Sequence, residues 1–114
     1  MTDNIFMRII QKKEPAEIIY QDNYVTAFRD IFPKAPTHII IVTNIHIPTV
    51  NDIEKEHALI LGHLFIAASK IALKEKINKS GYRLIVNCNR DSGQEIYHLH
   101  MHLLGGKPLG KLLC

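Results

Sequence analysis

The chain has 114 residues, 46% of them hydrophobic, and a formal charge of +3. That length suits one domain over residues 1–114 with a modest core, and the composition argues against disorder. The basic residues are scattered: Lys12-Lys13 and Lys74 to Lys79 fall at expected helix ends, where cations suit the macrodipole, and no Arg-rich or aromatic interleaving marks a nucleic-acid surface.

In chain order, Ile5, Ile9 and Ile10 share one helical face, so residues 4–13 read as a short amphipathic helix ended by Pro15. Ile18 to Gln21 and Val25 to Arg29 read as two strands joined by a turn at Asp22-Asn23. Pro33 and Pro36 mark a loop, and the β-branched run His38 to Thr43 reads as a buried strand. Asn51, with Glu54 three residues on, resembles a capping box for a long central helix. Ile60, Leu64, Ala67 and Ile71 form one apolar stripe on it, and Leu61, Phe65, Ala68 and Ala72 a second. One stripe is expected to cover the sheet and the other to meet a second subunit. Gly81 is the expected left-handed cap of this helix, Tyr82 to Asn87 the next strand, and Asn89 to Gln94 a polar loop. Ile96 to Leu104 is the expected last strand, stopped by Gly105-Gly106. Five strands, two helices and hairpin-like connections predict an α+β fold with a mainly antiparallel sheet.

The two cysteines, Cys88 and Cys114, form neither a disulfide framework nor a C-x-x-C pair; Cys88 reads as a buried thiol and Cys114 as a frayed end. The start of the chain has no basic region followed by an apolar run. The longest helical apolar stretch, Ala58 to Leu73, includes His63, Ser69 and Lys70, which makes it short and polar for a membrane span. The expected location is the cytoplasm, with no membrane or nucleic-acid partner.

Residues 97–104 read Tyr-His-Leu-His-Met-His-Leu-Leu. On a strand, His98, His100 and His102 would share one face and Leu99, Met101 and Leu103 the other. A polar face that uses histidine by chance is one reading. A metal site is another, but same-face residues lie about 6.6 Å apart, so one straight strand cannot easily gather three nitrogens at about 2.1 Å from one ion. A pair joined by His46 or Glu95 stays possible. The third reading is phosphoryl chemistry: a neutral imidazole is a nucleophile near pH 7, and the Gly93-Gln94-Glu95 segment can turn N–H groups toward a phosphate.

The run His98-Leu99-His100-Met101-His102-Leu103-Leu104 is similar to the His-φ-His-φ-His-φ-φ signature of the histidine triad family, where φ is apolar. Asn87, Gly93-Gln94, Tyr97 and Gly105-Gly106 resemble its Hint branch. The likeness extends upstream through Phe28 to Ile31, Ala35 to His38 and the loop bearing His46. The resemblance implies a homodimer whose sheets join into ten strands. It implies a purine nucleoside phosphoramidase or adenylyl-amine hydrolase acting on an AMP- or GMP-type nucleotide, and no metal or other cofactor is expected to be required. By position, His100 matches the nucleophile, and His102 a phosphate contact that assists proton transfer. His98 matches the group that holds the nucleophile's tautomer, and His46 a fourth nearby histidine. Asp30 matches a ribose-binding carboxylate and Ile31 a contact beside the base. Phe6 and Phe28 fall where the purine pocket is lined, with ordinary core the competing reading for both. Asn87, Gly93, Gln94 and Glu95 match phosphate and leaving-group contacts. His38 reads as a hydrogen-bonded structural residue, and His57 and His63 as surface or interface residues.

The chain departs from the family pattern at two places. Glu95 stands where many animal relatives carry serine, and is expected to face the leaving group and favour a cationic amine such as lysine. Thr43-Asn44-Ile45 replaces a stretch that commonly contains proline and lysine. Residues Lys107 to Cys114 are expected to reach a partner subunit's site. Two other functions are compatible with the motif: a nucleotide-binding adaptor with incidental hydrolysis, and a dinucleoside polyphosphate hydrolase.

Overall fold

A computed structural model describes residues 4–111. Helix α1 (Ile5–Ile10) leads into β1 (Ile18–Gln21), β2 (Val25–Arg29) and β3 (Thr37–Thr43). Helix α2 (Ala58–Lys74), β4 (Tyr82–Ile85) and β5 (His100–Gly105) follow. The sheet runs β1-β2-β3-β5-β4, and every neighbouring pair is antiparallel. The α+β expectation therefore holds, and the first two strands have their expected bounds.

Alternation along the strands divides the core. Ala27, Ile39, Ile41, Met101 and Leu103 face α2 and join Leu64, Ala67 and Ile71. Phe28, Ile40 and Val42 face the other way and join Phe6 and Ile9 of α1. All seven residues of β3 are buried, because β2 and β5 flank it and both of its faces are covered. Helix α1 has only six residues, so it covers only part of its side of the sheet.

Several boundaries differ from the sequence reading. Helix α1 stops at Ile10, and Lys12 turns the chain at φ +62°. Asn51 is not the cap of the central helix. Thr49 and Asp52 form a capping box around a short 3-10 turn, a second turn follows at Lys55–His57, and α2 starts only at Ala58. Its other end closes at Lys76 (φ +62°), with the Ile77 N–H reaching back to the Ala72 carbonyl, so Gly81 is the turn into β4 and not the helix cap. The second stripe splits: Ala68 and Ala72 are buried while Phe65 is 58% exposed. The outward apolar row consists of Leu59, Ile66 and Leu73.

The last strand is also shorter than expected, and this matters for the site. Strand β5 begins at His100. Just before it, the Leu99 N–H donates to the Ile47 carbonyl at 2.6 Å. His98 thus precedes the sheet ladder. Cys88 is half-buried, while Cys114 and the last two residues before it lie outside the described residues.

Candidate active site

A cavity of about 400 Å³ opens where α1 leaves the sheet uncovered. Phe6, Ile9, Phe28 and Ile40 form its apolar wall; Asp30, Asn87, His100 and His102 supply polar groups. Phe6 and Phe28 are each 4% exposed and pack ring to ring at 5.6 Å. Both competing readings of these two therefore describe them, since they are core residues that also line the cavity. Ile31 stands at the mouth, 81% exposed.

Main-chain groups fix the tautomers of the histidines. The His100 Nδ1–H donates to the His98 carbonyl at 2.6 Å. In the neutral ring this leaves the lone pair on Nε2. Burial holds the His100 pKa below the usual imidazole value, so the ring is neutral at pH 7. The edge of Phe6 lies against it, with ring centroids 4.9 Å apart.

His102 is set by a relay. The Lys34 backbone N–H donates to His38 Nδ1 at 3.0 Å, so the neutral His38 carries its proton on Nε2. That Nε2 faces His102 Nδ1 at 3.0 Å, and His102 accepts. His102 must then present an N–H at Nε2 beside the cavity. Burial, with the neighbouring His100 and His38, pushes its pKa down to about 4. Giving up the Nε2 proton from a neutral ring would leave an imidazolate, so the geometry suits donation to an oxygen better than proton delivery. His38 is therefore more than structural: it orients His102. The sequence signal for it was the run Ala35 to His38, which was read only as part of the resemblance.

His98 and His46 stand outside the cavity lining. His98 lies on the same side of the chain as His100, its ring edge-on to Phe6 at 5.9 Å, as the alternation predicts, but it is fully buried there and does not reach the cavity. Leu99 packs with Met101 and Leu103 toward α2, so the alternation already includes His98. Its Nε2–H donates to the Thr43 carbonyl at 2.7 Å, and Nδ1 accepts from Asn4 Nδ2 at 3.2 Å. Burial pushes its pKa down to about 4. Asn4 also caps α1, its Oδ1 accepting the Met7 N–H at 2.9 Å. His46 packs behind His98 and donates to the Tyr97 carbonyl at 2.9 Å, which braces the loop. Sequence reasoning missed Asn4 as a site-supporting residue; its only signal was an N-cap residue type at the start of the helix.

The loop between β4 and β5 is built from its own hydrogen bonds. Gln94 Oε1 accepts the Asn89 N–H, and its Nε2 donates to the Pro48 and Ile96 carbonyls. The Gln94 side chain is thus a brace. The N–H groups of Gly93 and Gln94 are also used, by Arg90 and Asn89 carbonyls, while the Glu95 N–H has no partner among the described residues. Asn89 sits at φ +67°, ψ −170°, a region that normally requires glycine and costs about 1–3 kcal/mol. Ser92 and Gln94 hold it there.

Asp30 serves two neighbours. Its Oδ1 accepts the Phe32 N–H at 2.8 Å, and Oδ2 lies 3.4 Å from His38 Nε2. Asp30, His38 and His102 bring three ligand atoms within 4.8 Å of one another, which is compact enough for a metal ion. However, His38 could bind an ion through Nε2 only by moving its proton to Nδ1, where the Lys34 N–H already points. His63 is stacked on Tyr24 at 3.9 Å, and His57 closes a turn by accepting the Glu54 N–H.

An antiparallel sheet that delivers alternate histidines of one strand to a half-covered cavity defines a histidine-triad type of domain. The chain belongs to the HIT domain family, whose model matches residues 11–109. It is 59% identical over 112 residues to the purine nucleoside phosphoramidase of Escherichia coli K12, covering 98% of this chain and 94% of that one. A HIT family hydrolase from Clostridium thermocellum superposes with a TM-score of 0.95 at 40% identity, covering 100% of this chain and 99% of that one. One from Legionella pneumophila gives 0.92 at 42% identity, with coverage of 95% and 96%.

Proposed function

We propose that this protein hydrolyses purine nucleoside 5′-phosphoramidates through a nucleotidyl-histidine intermediate on His100. The observation that carries the reading is the tautomer of His100, whose Nε2 lone pair is left free beside the Nε2–H of His102. The purine lies against the apolar wall that Phe6, Ile9 and Phe28 form, with Ile31 at its edge. Asp30 accepts the ribose hydroxyls. Asn87, the Glu95 N–H and His102 donate to the phosphate. The named activity of the E. coli relative supports this substrate class.

His100 Nε2 attacks phosphorus, the P–Nε2 bond forms, and the P–N bond breaks. The departing amine takes one proton from solvent. Water then attacks phosphorus, the P–Nε2 bond breaks, and the nucleoside monophosphate leaves as the proton returns to solvent. His98 and His46 are positioning residues in this scheme. No metal takes part, in keeping with the proton held on His38 Nε2.

The protein works as a homodimer. Gly62 in the middle of α2 costs about 1 kcal/mol relative to alanine, yet nothing among the described residues occupies the space of a Cβ there. A glycine flanked by exposed Leu59 and Ile66 suits close approach of a second helix. The β4 edge is open to pair with its counterpart and extend the sheet to ten strands.

The test is hydrolysis of adenosine 5′-phosphoramidate with chelator present. Wild type should release AMP, and His100→Ala should lose at least about a thousandfold in rate while still binding AMP. Equal rates would refute the nucleophile, and a rate collapse reversed by zinc would refute metal independence. Binding of AMP without turnover by wild type would favour the adaptor function instead.

A further inference from the structure

The cavity beside His100 has a polar end and an apolar end, and one carboxylate stands at the apolar end. Asn87, His100 and His102 lie at the reaction end, on β5 and the segment that joins β4 to it. Phe6, Ile9, Phe28 and Ala16 pack together at the other end, and Glu14 lines the cavity with them. Glu14 belongs to the segment entering β1, which is three strands from β5 in the order β1-β2-β3-β5. At about 4.8 Å per strand, the two ends are about 14 Å apart across the sheet.

The other charged side chain at this end is committed elsewhere. Arg29 donates through both Nη atoms to Glu75, at 3.0 and 2.8 Å, and through Nε to Glu17 at 3.2 Å. Glu14 has one side-chain partner among the described residues, Arg8, whose Nε donates to Oε1 at 3.4 Å. Both side chains of that pair are 39% exposed, so the contact orients the carboxylate without consuming it. Oε2 and a second lone pair on Oε1 stay available to a ligand.

With phosphorus at His100 and the ribose at Asp30, the six-membered ring is the part of a purine farthest from the sugar, and its edge points toward Glu14. Guanine presents two donors on that edge, N1–H and the 2-amino group, spaced to suit the two oxygens of a carboxylate. Adenine presents one donor, its 6-amino group, and sets the N1 lone pair against the negative charge. We infer that Glu14 reads the base and makes the protein prefer guanine nucleotides to adenine nucleotides. This rests on the phosphoramidase reading, which specifies only a purine.

The 5′-phosphoramidates of guanosine, inosine and adenosine test it, since inosine keeps N1–H and lacks the 2-amino group. Wild type should favour guanosine over adenosine by about tenfold in kcat/KM, near the low end for a two-bond base contact because Glu14 is half-exposed. Inosine should fall between them. Glu14→Gln keeps the size of the side chain with one acceptor, and Glu14→Leu leaves none. The guanosine-to-adenosine ratio should fall in Glu14→Gln and approach one in Glu14→Leu, whereas a purely structural role for Glu14 would lower all three rates together. A wild-type ratio of one or below, or a guanosine preference that survives in Glu14→Leu, would overturn the base selection while leaving the phosphoramidase reading intact. Hydrolysis of none of the three would overturn both.

Discussion

Replacing Asn4 should expose how α1 and His98 support one another. Asn4→Ala removes the cap of α1, a loss of about 1 kcal/mol, and orphans the fully buried His98 Nδ1, a further loss of about 1–3 kcal/mol. At about 4 °C per kcal/mol for a domain of this size, the melting temperature should fall by about 8–16 °C. Asn4→Asp separates the two roles, because it retains the capping oxygen but replaces the donor to His98 with a carboxylate. His98 in the wild type has its pKa pushed down to about 4, below the unfolded value. Its contribution is therefore fully present above about pH 6.5 and is lost progressively as pH falls toward 4. A carboxylate beside Nδ1 raises that folded pKa. The Asp variant should thus be the less stable protein at pH 8 and should close the gap on wild type between pH 7 and 5. Calorimetric melting across that range measures both effects. Melting of Asn4→Ala within 2 °C of wild type, or a parallel acid dependence of Asn4→Asp and wild type, would refute the coupling.

Two further outcomes are expected. The kcat/KM for adenosine phosphoramidate should stay level from pH 8 down through 6.5 and fall only in more acid solution, because burial keeps His100 below the ordinary imidazole pKa and only its neutral form attacks; a half-loss at or above pH 6.5 would contradict the assignment. Gly62→Ala should stabilise the separated subunit by up to about 1 kcal/mol yet weaken its self-association, as read by sedimentation; unchanged or tighter association would count against α2 as the contact.

Local patterns in the sequence located the elements, whereas partners distant in the chain set the site. The hairpin of β1 and β2 was readable because its turn residues and strand composition are contiguous. His100 and His102 were readable because strand alternation carries them to one side of β5. The same alternation puts His98 on that side too, but its burial against Asn4, Phe6 and His46, which are distant in the chain, was not legible. The pairs Asn4 with His98 and His38 with His102 lie 94 and 64 residues apart, and no local periodicity reports them. Gln94 entered as a ligand contact through the family resemblance; it lines the cavity, and its side chain holds the loop together through partners that local sequence does not report. The late start of α2 reflects Thr49, a better capping residue than Asn51 in its actual backbone setting, followed by two tight turns.

The two rings nearest the reaction trace their orientation to main-chain atoms, His100 to the carbonyl of residue 98 and His102, through His38, to the amide of residue 34. No side-chain replacement at 98 or 34 deletes those atoms, except proline at 34, which has no N–H to donate. Point substitutions there alter packing or charge but leave the proton arrangement in place. Insertion or deletion of a single residue between 98 and 100, or between 34 and 38, would break it outright. The chemistry of this site is therefore encoded in spacing as much as in residue type. It should tolerate drift in amino-acid identity far better than drift in length.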